Sequence, residues 1–234
     1  MNLLTICARG GSKGIPNKNL KIINGKPLIW YTLSFAKKLH DLMELDIVLS
    51  SDSEEILNSA KQFSIIKRHK RIPKLATDEV GKIDVLKDIL DLQELQGKRY
   101  DYIIDLDVTS PIRTLEGVIS AFEKLKSNDK ALNIFSVSKA SKNPYFNMVE
   151  PRLDGFVKIS KSKQEVLSRQ KAPEVFQLNA SYYIYKSKFF ELKKRSAITD
   201  QSLAYVVPHL CFDIDEEVDL LFLDFLLKEK IIKL

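Results

Sequence analysis

With 234 residues, 44% of them apolar, the chain has enough material to bury a sizeable core as one α/β domain with an excursion, or as two small domains. Charged residues at 29% make an ordinary soluble surface, and the net charge of +6 points to an anionic partner: nucleic acid, a membrane surface or a phosphorylated small molecule. Neither a signal peptide nor a membrane span is expected, because the N-terminal apolar run is broken by Arg9 and glycines and no other run approaches spanning length.

The positive charge is spread along the chain, and a short run such as Lys67–Arg71 reads as a solvated face. His40, His69 and His209 are too scattered to build a metal site with cysteine. Cys7 and Cys211 each sit in an apolar run that reads as a strand, so both are expected to be buried free thiols, which suits a reducing cytoplasm.

Leu3–Ala8 is a short apolar run bounded by glycines, the pattern of a buried parallel strand. A loop from Arg9 to Asn19 follows, then a turn at Asn24-Gly25, and Pro27 opens a helix to about Leu39. Leu45–Ser51 is the next strand, and Asp52 with Glu55 makes a capping-box-like start for a helix. Ile83–Gln96 is an amphipathic helix, Tyr102–Asp107 a strand, Thr114 to about Lys126 a helix, and Leu132–Ser138 a strand. This alternation predicts a doubly wound, mainly parallel sheet. From about Lys139 to Gln177 the rhythm changes to a segment rich in Asn, Pro, Ser and Lys, with short strand-like pieces such as Phe156–Ile159; it reads as an insertion within a single domain spanning 1–234. Strands return at Ala180–Tyr185 and Tyr205–Asp213, and a last helix runs from about Glu216 to Lys230.

The loop Ala8-Arg9-Gly10-Gly11-Ser12-Lys13-Gly14-Ile15-Pro16-Asn17-Lys18-Asn19 leaves the first strand directly. Its three glycines let backbone N–H groups approach a ligand closely, and Arg9, Lys13 and Lys18 add positive charge, a combination suited to a triphosphate. A Walker A loop is excluded because Lys13 precedes Gly14, and the dinucleotide fingerprint fails because Gly10 is followed at once by Gly11. Near the other end, the spacing of Asp213 and Asp215 puts both carboxylates on one side of an extended strand, where they can address one cation. Magnesium suits such a site, since it takes one or two carboxylates plus water and phosphate oxygens; helix capping by Asp215 is the alternative. Asp105 and Asp107 likewise share a strand face, and Thr109-Ser110-Pro111 ends that strand, whether as a site or only as a cap.

The glycine loop resembles the signature of the acylneuraminate cytidylyltransferases, the CMP-sialic-acid or CMP-nonulosonate synthetases, and the similarity extends over essentially the whole chain. The resemblance implies a nucleotide-diphospho-sugar-transferase-like fold, CTP and a nonulosonic acid as substrates, Mg²⁺ on Asp213 and Asp215, and a homodimer. It implies that the loop from Ala8 through Gly10, Gly11, Ser12 and Lys13 cradles the triphosphate with Arg9 and Lys18, and that Asn19 helps bind the cytidine. The segment Arg71-Ile-Pro-Lys-Leu75-Ala76-Thr77-Asp78 is similar to the family's Arg-Pro-x-x-Leu-Ala-x-Asp, with the proline displaced by one, and implies that Arg71 holds the cytosine or its ribose. Lys82 stands where the family often has a base-contacting serine, and Asp107 where it has glutamine, in a stretch resembling Leu-Gln-x-Thr-Ser-Pro-Leu-Arg. By the same resemblance Asp107, Thr109, Ser110, Arg169, Gln170 and Asn179 lie near the sugar, while Tyr145 and Phe146 belong to an insertion that in relatives lines the partner's sugar pocket. Lys82, Asp107 and the Asn143–Asn147 segment look more like the branch that activates legionaminic-type sugars. A 3-deoxy-manno-octulosonate cytidylyltransferase is the nearer rival reading. A nucleic-acid-binding module is the remote one, since aromatic-basic interleaving is missing. No general base is visible, and His209, in a strand pattern, reads as structural.

Overall fold

The computed structural model describes residues 1–12, 14–77, 79–161 and 166–234. The chain begins with β1 (Asn2–Cys7), a small hairpin of β2 (Ile22–Ile23) and β3 (Lys26–Pro27), α1 (Leu28–His40), β4 (Leu45–Ser51), α2 (Glu54–Ser59) and β5 (Ile66–Lys70). It continues through α3 (Lys82–Leu95), β6 (Tyr102–Leu106), α4 (Leu115–Lys126), β7 (Asn133–Lys139), β8 (Val149–Pro151) and β9 (Val157–Ile159). The last elements are β10 (Phe176–Lys186), α5 (Ser187–Glu191), β11 (Ser202–Val206) and α6 (Glu217–Lys228).

The main sheet has seven strands in the order β11-β7-β10-β6-β1-β4-β5. β1 pairs parallel with both β4 and β6, β5 extends the sheet in parallel, and β10 alone runs antiparallel, between β6 and β7. Alternate residues of each central strand feed two cores. Leu4, Ile6, Ile47, Leu49, Ile104 and Leu106 join α1, α2, α4 and α6 on one face. Leu3, Val48 and Ile103 join α3 and α5 on the other. Burial on both faces is why these strands read as unbroken apolar runs. After β5 the chain returns across the sheet to β6, so β1 and β6 flank the switch point where such sheets bind ligands.

Several element ends differ from the sequence expectation. Ser53, not Asp52, caps α2, its hydroxyl accepting from the Ile56 N–H at 3.4 Å; Asp52 is turned toward the glycine loop. The run Lys67–Arg71 is largely β5, an edge strand whose exposed lysines blunt further pairing, whereas Arg71 just beyond it is buried. The strand expected over Tyr205–Asp213 ends at Val206, which leaves His209 and Cys211 in an irregular segment. Asn24-Gly25 does form the two-residue turn of the β2–β3 hairpin, with φ of 44° and 78°. Thr114 caps α4 by accepting from Gly117 N–H at 3.0 Å.

Between β7 and β10 the chain leaves the main sheet and forms the β8–β9 hairpin. Leu153, Phe156, Val157 and Leu167 of this excursion are exposed. It returns into a bulge of β10, where Ala180 takes φ 56° and the pairing with β7 shifts register.

Candidate active site

The site starts where β1 ends. Ala8 N–H donates to the Ser50 carbonyl at 3.0 Å, carrying the β1–β4 pairing one residue into the glycine loop. Gly10 N–H then donates to Asp52 Oδ1 at 2.9 Å, and Ser12 N–H turns back to the Gly10 carbonyl at 3.2 Å. The Gly10 amide, expected to face a phosphate, is therefore held by the carboxylate that follows β4. Gly11 is different: a Cβ placed there meets nothing within 4 Å, so its face of the loop is open. A Cβ on Gly14 would stand 2.7 Å from the Asp215 carbonyl oxygen, so glycine is required there for close backbone approach. Asn19 is buried, and its amide donates to the Arg9 carbonyl at 3.0 Å, bracing the loop from inside. Lys13 and Asp78 lie outside the described residues.

Opposite the loop runs the segment 213–215. Ile214 is fully buried, and its N–H donates to the Thr109 carbonyl at 2.8 Å. Lys18 Nζ donates to the Ile214 carbonyl and lies 3.5 Å from Asp215 Oδ1. Asp213 and Asp215 thus flank an anchored residue, although outside any regular strand. The α6 cap is a box between Glu216 and Asp219, so the Asp215 carboxylate is not consumed as a cap. Burial pushes the Asp213 carboxyl up, against a hydrogen bond from Thr109, and its Oδ1 is buried with no hydrogen-bond partner among the described residues. One orphaned buried oxygen and one exposed carboxylate two residues on suit a divalent cation that completes its shell with phosphate and water. Among the described residues no group of three or more His, Cys, Asp or Glu is placed to hold a metal by itself.

A cavity of about 560 Å³ lies between these walls, lined by Arg9, Ser12, Lys18, Asp107, Thr109 and Asp215, together with Ala8 and Asn19. A second, of about 280 Å³, is lined by Arg71, Lys82, Leu75, Ala76, Val80 and Val85. Cys7 and Arg9 line both, so the two adjoin. Arg71 is buried through its bonds to Ser50, with Nε donating to Oγ at 3.2 Å and Nη2 to the carbonyl at 2.9 Å. Cys7 is half-buried on the cavity wall, not fully buried as expected, because it stands at the end of β1; burial of its sulfur and the nearby Asp105 push its thiol up to about 12, which keeps it protonated.

A charge network runs from the cavity walls at Lys82 and Asp107 into the core at Asp105. Lys82 Nζ lies 2.7 Å from Asp105 Oδ2 and 2.6 Å from Asp107 Oδ2. Burial alone would raise the Asp107 carboxyl, but Lys82 and the Thr109 donors hold it at about 2. Arg113, also buried, donates through Nη2 to the carbonyls of Asp107 and Ser110 and through Nε to Ser181 Oγ. Burial pulls it down to about 10, so it remains a cation at neutral pH.

The remaining sequence-derived residues stand elsewhere. Ser110 is fully buried and donates to the Phe212 carbonyl at 3.1 Å, tying the turn after β6 to the segment before Asp213. Asn179 pins the β10 bulge, accepting from Ser136 Oγ and donating to Ser138 Oγ. Tyr145 and Phe146 are half-buried within the excursion, Arg169 and Gln170 are exposed, and none of the four lines either cavity. The loop-bracing Asp52 and the close contact at Gly14 were missed from sequence. Both depend on partners 42 and more residues away, for which the local pattern carries no signal.

A glycine loop at the switch point of a doubly wound sheet, facing paired aspartates across a cation-lined cavity, defines a nucleotidyltransferase-like protein. A solved CMP:2-keto-3-deoxy-manno-octonic acid synthetase, complexed with CTP, superposes with a TM-score of 0.69 over 98% of this chain and 99% of that one; at 15% identity it shows the fold alone. The chain belongs to the cytidylyltransferase family, which its residues 3–220 match. It is 39% identical to post-translational flagellin modification protein B of Campylobacter coli, and 36% identical to the CMP-N,N'-diacetyllegionaminic acid synthase of Campylobacter jejuni, in each case over 97% of this chain and 95% of the relative. The resemblance carried by the glycine loop therefore holds along the chain.

Gly11 and Gly14 are expected to fail differently. Gly14→Ala should force the 213–215 backbone away and lower turnover of CTP by about 10²-fold, while Gly11→Val should leave the thermal midpoint intact and raise KM for CTP about tenfold. Melting curves and pyrophosphate release measure both, and unchanged kinetics in both variants would remove the loop from the site.

Proposed function

We propose that the protein transfers CMP from CTP to the anomeric hydroxyl of a nonulosonic acid, with a legionaminic-type acid as the preferred acceptor. The observation that carries this reading is the pair of adjoining cavities that share Arg9, one walled by the glycine loop, Lys18, Asp107 and Asp215, the other by apolar side chains with Arg71 and Lys82. The first suits a triphosphate and the second a nucleoside.

In the reaction the acceptor oxygen bonds to the α-phosphorus as the bond to the β-phosphate bridge breaks, and pyrophosphate leaves. Positioning and charge stabilisation carry a step of this kind. Arg9, Lys18 and the open side of the loop at Gly11 would hold the phosphates, and with Gly10 already held by Asp52 the side-chain cations carry most of that task. Lys18 also fixes the height of the 213–215 strap through the Ile214 carbonyl. Asp213 and Asp215 would hold Mg²⁺, which when bound neutralises phosphate charge as a Lewis acid. Cys7 and Cys211 are both free thiols, as suits an enzyme working in the reducing cytoplasm, and among the described residues no helix is long and apolar enough to cross a membrane.

The excursion is assigned to a homodimer. Its exposed Leu153, Phe156, Val157 and Leu167 need cover, and Tyr145 and Phe146, which line neither of the two cavities above, are available to line the partner's acceptor pocket. Sedimentation at tens of micromolar should give about twice the 26.8 kDa chain mass; a fully active monomer refutes the dimer.

Metal dependence follows from the aspartates. Asp215→Asn should keep the fold and lower turnover by about 10²-fold, and chelation of the wild-type enzyme should stop it until Mg²⁺ is restored. Near-normal turnover in both tests would leave the two carboxylates without this role.

Pyrophosphate release with each nucleoside triphosphate, crossed against a panel of nonulosonic and 3-deoxy-octulosonic acids, tests the reaction itself. CTP should be required, and kcat/KM should favour a legionaminic-type acid over N-acetylneuraminic acid by about tenfold or more, the size of one or two lost hydrogen bonds. Equal use of N-acetylneuraminic acid would overturn the acceptor assignment alone, and no turnover with CTP would overturn the reaction.

A further inference from the structure

Arg71 leaves β5 with its main chain still tied to the sheet, its N–H donating to the Ser51 carbonyl at 2.8 Å. Its side chain turns back onto Ser50, which is fully buried on β4. Ser50 is a junction. Its carbonyl accepts from Ala8 N–H, where the glycine loop begins, at 3.0 Å and from Arg71 Nη2 at 2.9 Å. Its hydroxyl accepts from Arg71 Nε at 3.2 Å and lies 3.2 Å from Nδ1 of His69, the residue opposite it on β5. Across the imidazole, Nε2 lies 3.8 Å from Asp88 Oδ2, an electrostatic contact too long for a hydrogen bond. Asp88 follows Val85 by one turn of α3, and Val85 lines the same cavity as Arg71.

The direction of these bonds follows from counting protons. A serine hydroxyl has one proton to give and two lone pairs. The Arg71 donor occupies one lone pair, and among the described residues the only other hydrogen-bond partner of the hydroxyl is His69 Nδ1. Ser50 O–H therefore donates to an unprotonated Nδ1, and the ring proton is on Nε2, with its positive end toward Asp88. A charged ring would reverse the link. Nδ1 would become a donor, the Ser50 oxygen would face donors from both His69 and Arg71, and its own buried proton would lose its acceptor. The charged groups acting on the ring are Asp88 from α3 and Arg71 from beyond β5, while the nearby Asp46 and Lys67 pair with each other at 3.6 Å. Burial holds the imidazole below its ordinary range against the pull of Asp88, and Arg71 adds to the lowering.

We infer that neutral His69 is a positioning residue for nucleotide binding, which fixes the Arg71 guanidinium on the cavity wall through the Ser50 hydroxyl. The inference rests on the cytidylyltransferase reading above, with the nucleoside in the second cavity. A guanidinium is planar, so bonds from Nε and Nη2 to one residue set both its position and its plane. With the hydroxyl misaligned, the Nη2 bond is the remaining tie and the plane is free to swing. The effect belongs to the nucleoside end of the substrate, because the phosphates are assigned to Arg9, Lys18 and the open side of the glycine loop.

The test compares wild type with His69→Leu, His69→Asn, Arg71→Met and His69→Leu/Arg71→Met, using CTP as substrate and inorganic triphosphate as inhibitor. His69→Leu removes the acceptor and should raise KM for CTP by about 3–10-fold, the size of one lost hydrogen bond, with a smaller fall in kcat and unchanged inhibition by triphosphate. His69→Asn puts an amide oxygen where Nδ1 accepts and should bring KM back to within about twofold of wild type. Lowering the pH through the range in which the ring takes up its proton should raise KM in wild type more than in His69→Asn, whose amide does not titrate; protonation of the nucleotide itself is common to both. In the Arg71→Met background, His69→Leu should have no further effect on KM. If His69→Leu does not fold, the pH profile of His69→Asn decides. An unchanged KM in folded His69→Leu, or an acid rise in His69→Asn equal to that of wild type, overturns the inference. So does an effect of His69→Leu that persists without Arg71, or one matched by lost triphosphate inhibition. A wild-type KM in Arg71→Met overturns it too and leaves the reaction standing, whereas absence of CTP turnover in wild type strikes the reaction and the inference together.

Discussion

The arrangement of the site depends on the burial of Ile214. Three segments distant in sequence, the glycine loop, the turn after β6 and the lead into α6, meet at this residue. Its side chain is fully buried, a transfer worth about 1.5–3 kcal/mol, its N–H binds the Thr109 carbonyl, and its own carbonyl takes the Lys18 ammonium. With both main-chain groups and the side chain occupied, Asp215 is held on the cavity wall and Asp213 is held half-buried beside it. Gly14 completes the contact, since only a residue without Cβ lets the loop lie against the Asp215 backbone. A site built in this way is as stiff as the core below it.

The floor of the site is polar, and it is buried at a cost. Arg113 and Asp105 are both removed from water and only partly compensated, since Arg113 Nη1 and Asp105 Oδ2 have no hydrogen-bond partner among the described residues, although the Lys82 ammonium lies 2.7 Å from Asp105 Oδ2. Arg113 donates through Nε and Nη2 to Ser181 and to the backbone of the turn from Asp107 to Ser110, which holds the turn that presents Thr109 and Asp107. Ser110 ties the same turn to Phe212. The Thr-Ser-Pro turn thus ends β6 and carries the strap, with Thr109 on the cavity wall and Ser110 buried, while the cap of α4 falls to Thr114.

The antiparallel strand β10 extends this logic to the far side of the sheet. Its bulge, set by Asn179 and the left-handed Ala180, shifts the register with β7 and separates the outer, exposed part of the strand from the inner part that packs beside β6. Asn179, Ser136 and Ser138 fasten the bulge in place. The excursion leaves and re-enters the sheet at this outer end, on strands that are still paired, so the described residues 140–161 and 166–175 stand outside the main sheet.

Much of this molecule was legible in the sequence. The alternation of apolar runs and amphipathic segments determined the doubly wound sheet, because strands covered on both faces leave no other pattern. The glycine loop and the aspartate pair also stood out, being groups of special residues within a few positions of one another. The tertiary structure alone decided what those groups touch. Asp52 looked like a helix cap and instead holds Gly10; Arg71 looked like an exposed charge and is buried on Ser50; Asp107, on the cavity wall, is also tied to Lys82 and Thr109, a link its motif did not show. Each of these outcomes is set by a partner many residues away. Hydrophobic periodicity and capping preference report the energetics of a few neighbouring residues, whereas the destination of a hydrogen-bonding or charged side chain is fixed by which distant segments the folded sheet places beside it.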